Sequence, residues 1–112
     1  RQAIAGAPRV SNPGCYPTGF LALVAPLVAA GLLDGASPLT CNAVSGYSGG
    51  GKALIERFRA DPALGFRSYA LGLDHKHLPE MQAYARLNQP PVFAPAVVPV
   101  LRGMIVEVPL AA

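Results

Sequence analysis

Cys15 lies in the stretch Ser11-Asn-Pro-Gly-Cys-Tyr-Pro-Thr-Gly-Phe-Leu-Ala-Leu-Val-Ala25, where turn-forming residues lead into an apolar, helix-forming run. Pro17 suits a first helical turn because its missing N–H would have no partner there. The unpaired N–H groups and the positive end of the helix dipole favour the thiolate of Cys15. Gly14 permits a sharp turn and leaves room for a substrate. The stretch therefore predicts an exposed nucleophile, with a buried structural cysteine as the alternative.

The composition predicts one small domain with an apolar surface that another subunit or domain covers. The 112 residues are 52% hydrophobic and only 13% charged, so few charges remain to cover the surface. We therefore expect a homo-oligomer. The net charge of +3 is scattered, without a basic run or interleaved aromatic residues. This pattern argues against a nucleic-acid partner.

The two cysteines do not form a disulfide framework of the kind that secreted domains use. Cys41 lies in the strand-like run Leu39-Thr-Cys-Asn-Ala-Val44, where it is expected in the core. Reduced thiols favour a cytoplasmic location. The apolar run 20–33 is too short to span a bilayer and contains Pro26 and Gly31, so no membrane segment is predicted. Because the chain starts without a methionine and stops abruptly, we expect a piece of a longer polypeptide.

Hydrophobic periodicity and turn residues predict an α+β domain. The predicted helices cover residues 17–32, 53–60 and 79–87, and the predicted strands cover 39–45, 66–73, 92–98 and 104–110, with a further strand ending near residue 9. The prolines within 92–98 favour an edge strand. Without a regular βαβ period, the order of elements favours a mixed, mostly antiparallel sheet with helices on one face.

A second group of candidate residues lies in His75-Lys-His-Leu-Pro-Glu80, at a predicted strand-to-helix junction. Glu80 follows His77 by three residues and could hydrogen-bond to one imidazole nitrogen, thereby selecting the tautomer that faces a substrate. Lys76 would add positive charge for an anionic substrate. Metal ligation and simple solvated junction residues are the alternatives. Because neither Cys41 nor Asp74 completes a recognisable ligand spacing, no metal site is predicted.

A third candidate site is Ser45-Gly-Tyr-Ser-Gly-Gly-Gly-Lys52, predicted as a flexible loop before a short helix. Backbone N–H groups, hydroxyls and a lysine at a helix start can bind phosphate. The spacing is not that of a Walker A loop, because Ala53 occupies the hydroxyl position. A plain glycine-rich linker is the alternative.

Together, four segments resemble successive blocks of N-acetyl-γ-glutamyl-phosphate reductase, in its shorter, second type. They are Asn12 to Thr18, Val44 to Lys52, His75 to Glu80 and Gly103-Met-Ile-Val-Glu-Val-Pro109. That family also resembles aspartate-semialdehyde dehydrogenase and glyceraldehyde-3-phosphate dehydrogenase, whose C-terminal domain supplies the expected fold. The resemblance implies that residues 1–112 form a catalytic and dimerisation domain. The nucleotide-binding domain would be a separate part of the same polypeptide.

The resemblance also implies a reaction and a set of roles. An acyl phosphate would acylate Cys15, NADPH would reduce the thioester to N-acetylglutamate semialdehyde, and the NADP(H) would be bound mainly by the missing domain. His77 would be the acid–base in preference to His75, because the carboxylate of Glu80 follows it at the right distance. The implied substrate-binding residues are Asn12, Ser45, Gly46, Ser48, Lys52, His75 and Lys76. The implied cofactor-binding residues are Pro17, Thr18, Gly49 and Gly50.

Three alternatives to this function remain open from the sequence. A related reductase of an N-acylated aminoadipyl phosphate, in lysine biosynthesis, differs by one methylene of substrate. A cysteine acyl-hydrolase would resolve the same acyl-enzyme with water instead of hydride. A non-catalytic interaction domain would carry an unreactive Cys15.

Overall fold

The computed structural model describes residues 2–110 and has the expected α+β fold. The helices are α1 (Gln2–Ala5), α2 (Cys15–Ala29), a 3-10 helix (Tyr47–Gly50), α3 (Gly51–Ala60) and α4 (Leu78–Ala85). The strands are β1 (Thr40–Gly46), β2 (Arg67–Ser68), β3 (Val92–Val98) and β4 (Met104–Glu107).

The four strands form one mixed sheet in the order β2-β3-β1-β4. The central pair, β1 and β3, is parallel, and Cys41 lies beside Phe93 in its register. The two outer pairings, β1 with β4 and β2 with β3, are antiparallel. Two of the three pairings are thus antiparallel, which confirms the mixed, mostly antiparallel sheet predicted from the sequence.

The main core lies between one face of this sheet and the helices α2 and α4. Phe20 of α2, Met81 of α4 and Phe93 of β3 have at most 1% of their surface exposed. Cys41 contributes from β1 and is fully buried, as its strand position predicts. Burial raises the pKa of the Cys41 thiol to about 11. Cys41 therefore acts as a small apolar core residue.

Helix α2 begins two residues earlier than predicted, at Cys15, and ends three residues earlier, at Ala29. Its end is a Schellman motif: the Gly31 N–H donates to Val28 O and the Leu32 N–H donates to Leu27 O. Gly31 occupies the left-handed position of that motif, with φ of 69°. No helix among residues 2–110 is long and apolar enough to cross a membrane.

The prediction that 92–98 is an edge strand is wrong, because β3 lies inside the sheet between β2 and β1. The Pro95 carbonyl accepts a hydrogen bond from the Tyr69 N–H, on the β2 side. A strand residue directs its N–H and C=O to the same side, so the missing N–H of Pro95 also falls there. Because this N–H would point away from β1, Pro95 removes no hydrogen bond between β3 and β1. On the other side, β2 pairs through only two residues.

Three other local predictions differ from the structure. The strand predicted over 66–73 is reduced to β2, because Ala70 and Leu73 take φ values of 50° and 57°, outside the extended region. No regular strand precedes the Cys15 loop near residue 9. The segment 46–52 is not a flexible loop, because the 3-10 helix leads directly into α3.

Candidate active site

Cys15 is the first residue of α2, and it is exposed. Gly14 precedes it as the N-cap, in extended backbone with φ of −60° and ψ of 156°. The Gly14 carbonyl accepts two bonds from Thr18, from its N–H at 3.0 Å and from its hydroxyl at 2.9 Å. This turn holds the sulfur at the amino end of the helix, where backbone N–H groups have no intrahelical acceptor.

The carboxylate of Glu80 joins α4 to the residue before the thiol. The Gly14 N–H donates to Glu80 Oε1 at 3.1 Å and to Oε2 at 3.3 Å. Glu80 Oε2 also lies 3.5 Å from His77 Nδ1. One carboxylate therefore fixes both the loop that carries Cys15 and the imidazole of His77.

His77 packs directly against Gly14. A Cβ added to Gly14 would lie 2.2 Å from His77 Cε1 and 2.4 Å from Nδ1. Since the backbone angles of Gly14 suit any residue, glycine is required here for space and not for a sharp turn as the sequence suggested. The close approach places the imidazole one residue from the thiol, with Nδ1 toward Glu80.

His75 supports His77 through the backbone. The His77 N–H donates to His75 Nδ1 at 3.2 Å, so this nitrogen is unprotonated. The ring of His75 packs edge-on against Phe93 and Tyr16. Burial, followed by the charges of His77 and Lys76, lowers the pKa of His75, and Asp74 opposes the shift. The neutral imidazole is therefore both packed and hydrogen-bonded.

Three hydroxyl groups form a chain beside the thiol. The Tyr69 hydroxyl donates to the Tyr16 hydroxyl at 3.2 Å, which donates to Ser45 Oγ at 2.9 Å. Burial raises the pKa of Tyr69 well above its ordinary value, and the bond to Tyr16 and the charge of Cys15 raise it further. Tyr69 therefore keeps its proton and remains a hydrogen-bond donor close to the thiol.

A cavity of about 390 Å³ opens onto Cys15. Of the residues predicted for the site, Ser45, Gly49 and Gly50 line it together with the cysteine. Its other lining residues are Tyr16, Ala53, Leu54, Arg57, Arg67, Tyr69, Val97 and Met104. The structure thus brings part of the glycine-rich segment to the thiol.

Two arginines and two tyrosines of this cavity were not among the residues predicted from the sequence. Ala53 and Leu54 lie four and three residues before Arg57, so the helical period alone places the three on one face of α3. No comparable signal marks Arg67 and Tyr69, because a nonlocal strand pairing positions them.

The remaining residues of the predicted glycine-rich site lie outside the cavity lining. The Gly46 N–H donates to Gly103 O, and its Cα is packed against the backbone of Val100 and Arg102. The Ser48 N–H is bonded to Leu101 O, and Lys52 is exposed on the first turn of α3.

The other predicted binding residues are spread over three places. Asn12 lines a separate groove of about 330 Å³ together with Glu80. His75 and Lys76 line another of about 300 Å³. Pro17 is fully buried and so has almost no surface to offer a cofactor, whereas Thr18 is exposed.

A metal site would need several converging ligands. No group of three or more His, Cys, Asp or Glu side chains that could hold a metal ion occurs within residues 2–110. The chemistry available to the described residues is therefore that of a thiol, an imidazole–carboxylate pair, hydroxyls and guanidinium groups.

Curated proteins of similar sequence are known. An N-acetyl-gamma-glutamyl-phosphate reductase 2 of Nostoc sp. is 50% identical over 118 residues, which is 98% of this chain and 37% of the relative. The N-acetyl-gamma-glutamyl-phosphate reductase of Mesorhizobium japonicum is 50% identical over 97% of this chain and 36% of its own length. That of Brucella ovis is 52% identical over 98% and 37%. The chain thus spans a little over a third of the length of these curated relatives.

The family comparison agrees with the relatives and with the resemblance found in the sequence. A sequence model described as "Semialdehyde dehydrogenase, dimerisation domain" matches residues 15–112, from the thiol onward. This match covers both the Cys15 helix and the whole sheet. The chain therefore belongs to the semialdehyde dehydrogenase dimerisation-domain family, and the similar curated proteins are N-acetyl-γ-glutamyl-phosphate reductases.

Proposed function

We propose that the full-length polypeptide reduces N-acetyl-γ-glutamyl phosphate to N-acetylglutamate semialdehyde, and that residues 1–112 are its catalytic and dimerisation domain. The names of the relatives support the substrate. The observation that carries the chemistry is the exposed Cys15 at the start of α2, next to a His77–Glu80 pair that is tied to Gly14. An arginine-biosynthetic enzyme in the cytoplasm would keep both thiols reduced.

The first step is acylation of Cys15. The thiol proton passes to His77, whose Nε2 is free because Nδ1 faces Glu80. The thiolate forms an S–C bond to the acyl carbon, the C–O bond to phosphate breaks, and phosphate leaves with the electron pair. The Cys15 backbone N–H and the protonated imidazole are the donors for the transient oxyanion. His77 then returns its proton when the later hemithioacetal breaks down.

We propose that the Cys15 cavity receives one end of the NADPH cofactor. At Gly49 an added Cβ would meet no atom within 4 Å, so the backbone leaves space in the cavity. Leu54 and Met104 supply apolar wall beside it, which suits a flat nicotinamide ring. When bound, NADPH supplies the hydride that takes the thioester to the aldehyde. We propose that another domain of the polypeptide holds the rest of the cofactor.

The open face of the sheet supports self-association. On the sheet face that points away from α2 and α4, Ile105 of β4 is 61% exposed and is the register partner of Val44 in β1. Val92 of β3 is 51% exposed on the same face. Such an apolar face would be covered in the intact protein, and we propose that a second copy of the chain covers it. Ile105→Lys in the full-length protein should therefore shift sedimentation toward the monomer, whereas Val10→Lys, outside the sheet, should not.

The function is tested in the full-length polypeptide with three measurements. Incubation with the acyl phosphate alone should release phosphate and leave an acyl group on Cys15, detectable by mass spectrometry of the Cys15 peptide. NADPH that is added afterwards should then be oxidised in proportion to the amount of acylated Cys15. Cys15→Ala should abolish both steps, and Cys41→Ala should retain them. Phosphate released continuously without NADPH would identify an acyl-hydrolase, and preference for the aminoadipyl homologue would identify the lysine-type reductase.

A further inference from the structure

Helix α3 is only loosely attached to the rest of the domain. Among residues 2–110, no hydrogen bond or ion pair links α3 to the sheet, to α2 or to α4. The helix packs mainly against the 3-10 helix that precedes it, and Phe58 is its only buried residue. The ring of Phe58 stacks on that of Tyr47, with centroids 5.3 Å apart and planes at 15°. An element with so little buried apolar contact opens more readily than the core helices.

Glycines lie at both ends of this loosely attached helix. The 3-10 helix itself is held to the domain, because the Ser48 N–H donates to Leu101 O at 3.0 Å. Gly51 then leads into α3 with φ of 74° and ψ of −172°, a conformation that essentially only glycine adopts. After the helix, residues 61–66 form a mostly exposed linker that contains Gly65, and the chain is next held in β2. Both ends of α3 can therefore absorb a change in backbone angles.

One face of α3 forms a wall of the Cys15 cavity. Ala53 and Leu54 line the cavity from α3, and Val97 lines it from β3. Ala53 is exposed and Leu54 only half-buried, so both still present apolar surface to the cavity. A group on the cysteine would bury that surface when α3 lies over it, and would therefore bind the closed position better than the open one.

We propose that α3 is a mobile lid of the Cys15 cavity, which pivots at Gly51 and Gly65 and closes over the acyl group carried by the cysteine. The stack of Tyr47 and Phe58 lies outside the cavity lining and holds the helix near the cavity. Closure excludes water from the thioester, so that hydride and not water reaches the acyl carbon. The lid deepens the proposed function, on which it rests for the identity of the group that it covers.

Amide hydrogen exchange in the full-length polypeptide tests the mobility of the lid without substrate. Amides of residues 54–60 should exchange at least about tenfold faster than those of residues 20–25 in α2. Tyr47→Leu removes the ring stack and should speed exchange in α3 by a further factor of roughly three to ten. Tyr84→Leu, at a 71% exposed position, is the matched control and should change it by less than about twofold. Exchange in α3 as slow as in α2, or equal effects of the two variants, would overturn the proposal.

A group attached to Cys15 should close the lid. N-ethylmaleimide alkylates exposed thiols, and its adduct on Cys15 places an apolar group in the cavity that Leu54 lines. Exchange in residues 54–60 should then slow at least about threefold, and more than exchange in α2 does. Cys41 is buried and has a raised pKa, so it should remain unlabelled. Unchanged exchange in α3 would overturn the lid, and this result stands even if the protein acts on a different substrate.

The ratio of phosphate released to NADPH oxidised tests whether the lid excludes water. When water attacks the acyl carbon, the C–S bond breaks, the carboxylic acid leaves and the thiol is regenerated, so phosphate is released without oxidation of NADPH. With the Cys15→Ala background subtracted, Tyr47→Leu should raise the ratio at least about twofold above the wild type, and Tyr84→Leu should not.

Two other outcomes of this assay have different meanings. A wild-type ratio in Tyr47→Leu, with α3 loosened in the exchange measurement, would overturn the lid. Failure of the wild-type protein to oxidise NADPH would instead contradict the proposed function, and the exchange measurements on the N-ethylmaleimide adduct would then decide the lid alone.

Discussion

Replacement of Gly14 by alanine should disable Cys15 chemistry by moving His77. The added Cβ would lie 2.2, 2.4 and 2.8 Å from Cε1, Nδ1 and Nε2 of the imidazole. Ordinary carbon–carbon contact is about 3.5–4.0 Å, so the ring must retreat by more than about 1 Å. The backbone itself is not strained, because its angles are open to alanine. The perturbation thus acts on the position of one side chain.

A misplacement of about 1 Å in a catalytic group can cost about 10²-fold, and complete loss of a general base costs about 10²–10⁴-fold. We therefore expect Gly14→Ala to slow phosphate release in a single turnover of the full-length enzyme by about 10²-fold or more. Gly65→Ala is the matched control, since a Cβ there meets nothing within 4 Å. Its rate should stay within about twofold of the wild type.

A double-mutant cycle separates this mechanism from a general loss of structure. If Gly14→Ala acts through His77, it should add little to the loss already caused by His77→Asn, because the two residues are in contact. An additional loss of 10²-fold in the His77→Asn background would refute the reasoning. So would a wild-type rate for Gly14→Ala itself.

Two further predictions concern the packing around the site. Tyr16→Phe should lower the free energy of unfolding by about 1–3 kcal/mol, because it removes both hydrogen bonds of a hydroxyl in a 3% exposed residue. The urea midpoint measures this change, and Tyr84→Phe, at a 71% exposed position, should change it by less than about 0.5 kcal/mol. His75 has a lowered pKa in the folded state, so below its unfolded value of about 6.5 the unfolded chain binds more protons. Stability should therefore fall as the pH drops through about 6.5 toward the folded pKa, and His75→Gln should flatten that part of the pH profile; an equally steep profile in this variant would contradict the assignment.

Local signals predicted much of the site. The dipeptide Gly14-Cys15 before an apolar run placed a cysteine at a helix start, because capping and periodicity depend on neighbours within one turn. The spacing of His77 and Glu80 likewise predicted a pair, since residues three apart on a helical turn lie on one side. The sharp turn predicted at Gly14 is not the reason that a glycine is needed there, however. Its role depends on an imidazole that approaches from a distant part of the chain.

The sequence by itself determined the α+β class, the helix whose first turn carries Cys15 and the buried position of Cys41, all of which follow from short-range patterning and the burial of apolar side chains. Only the tertiary structure decided that β3 is central, because the direction of the missing N–H of Pro95 depends on which strands flank it. It also decided which cations line the Cys15 cavity. Arg67 enters the cavity through the pairing of β2 with β3, a contact between residues about thirty apart. Such pairings are set by the packing of the whole sheet, and no local pattern in the sequence records them.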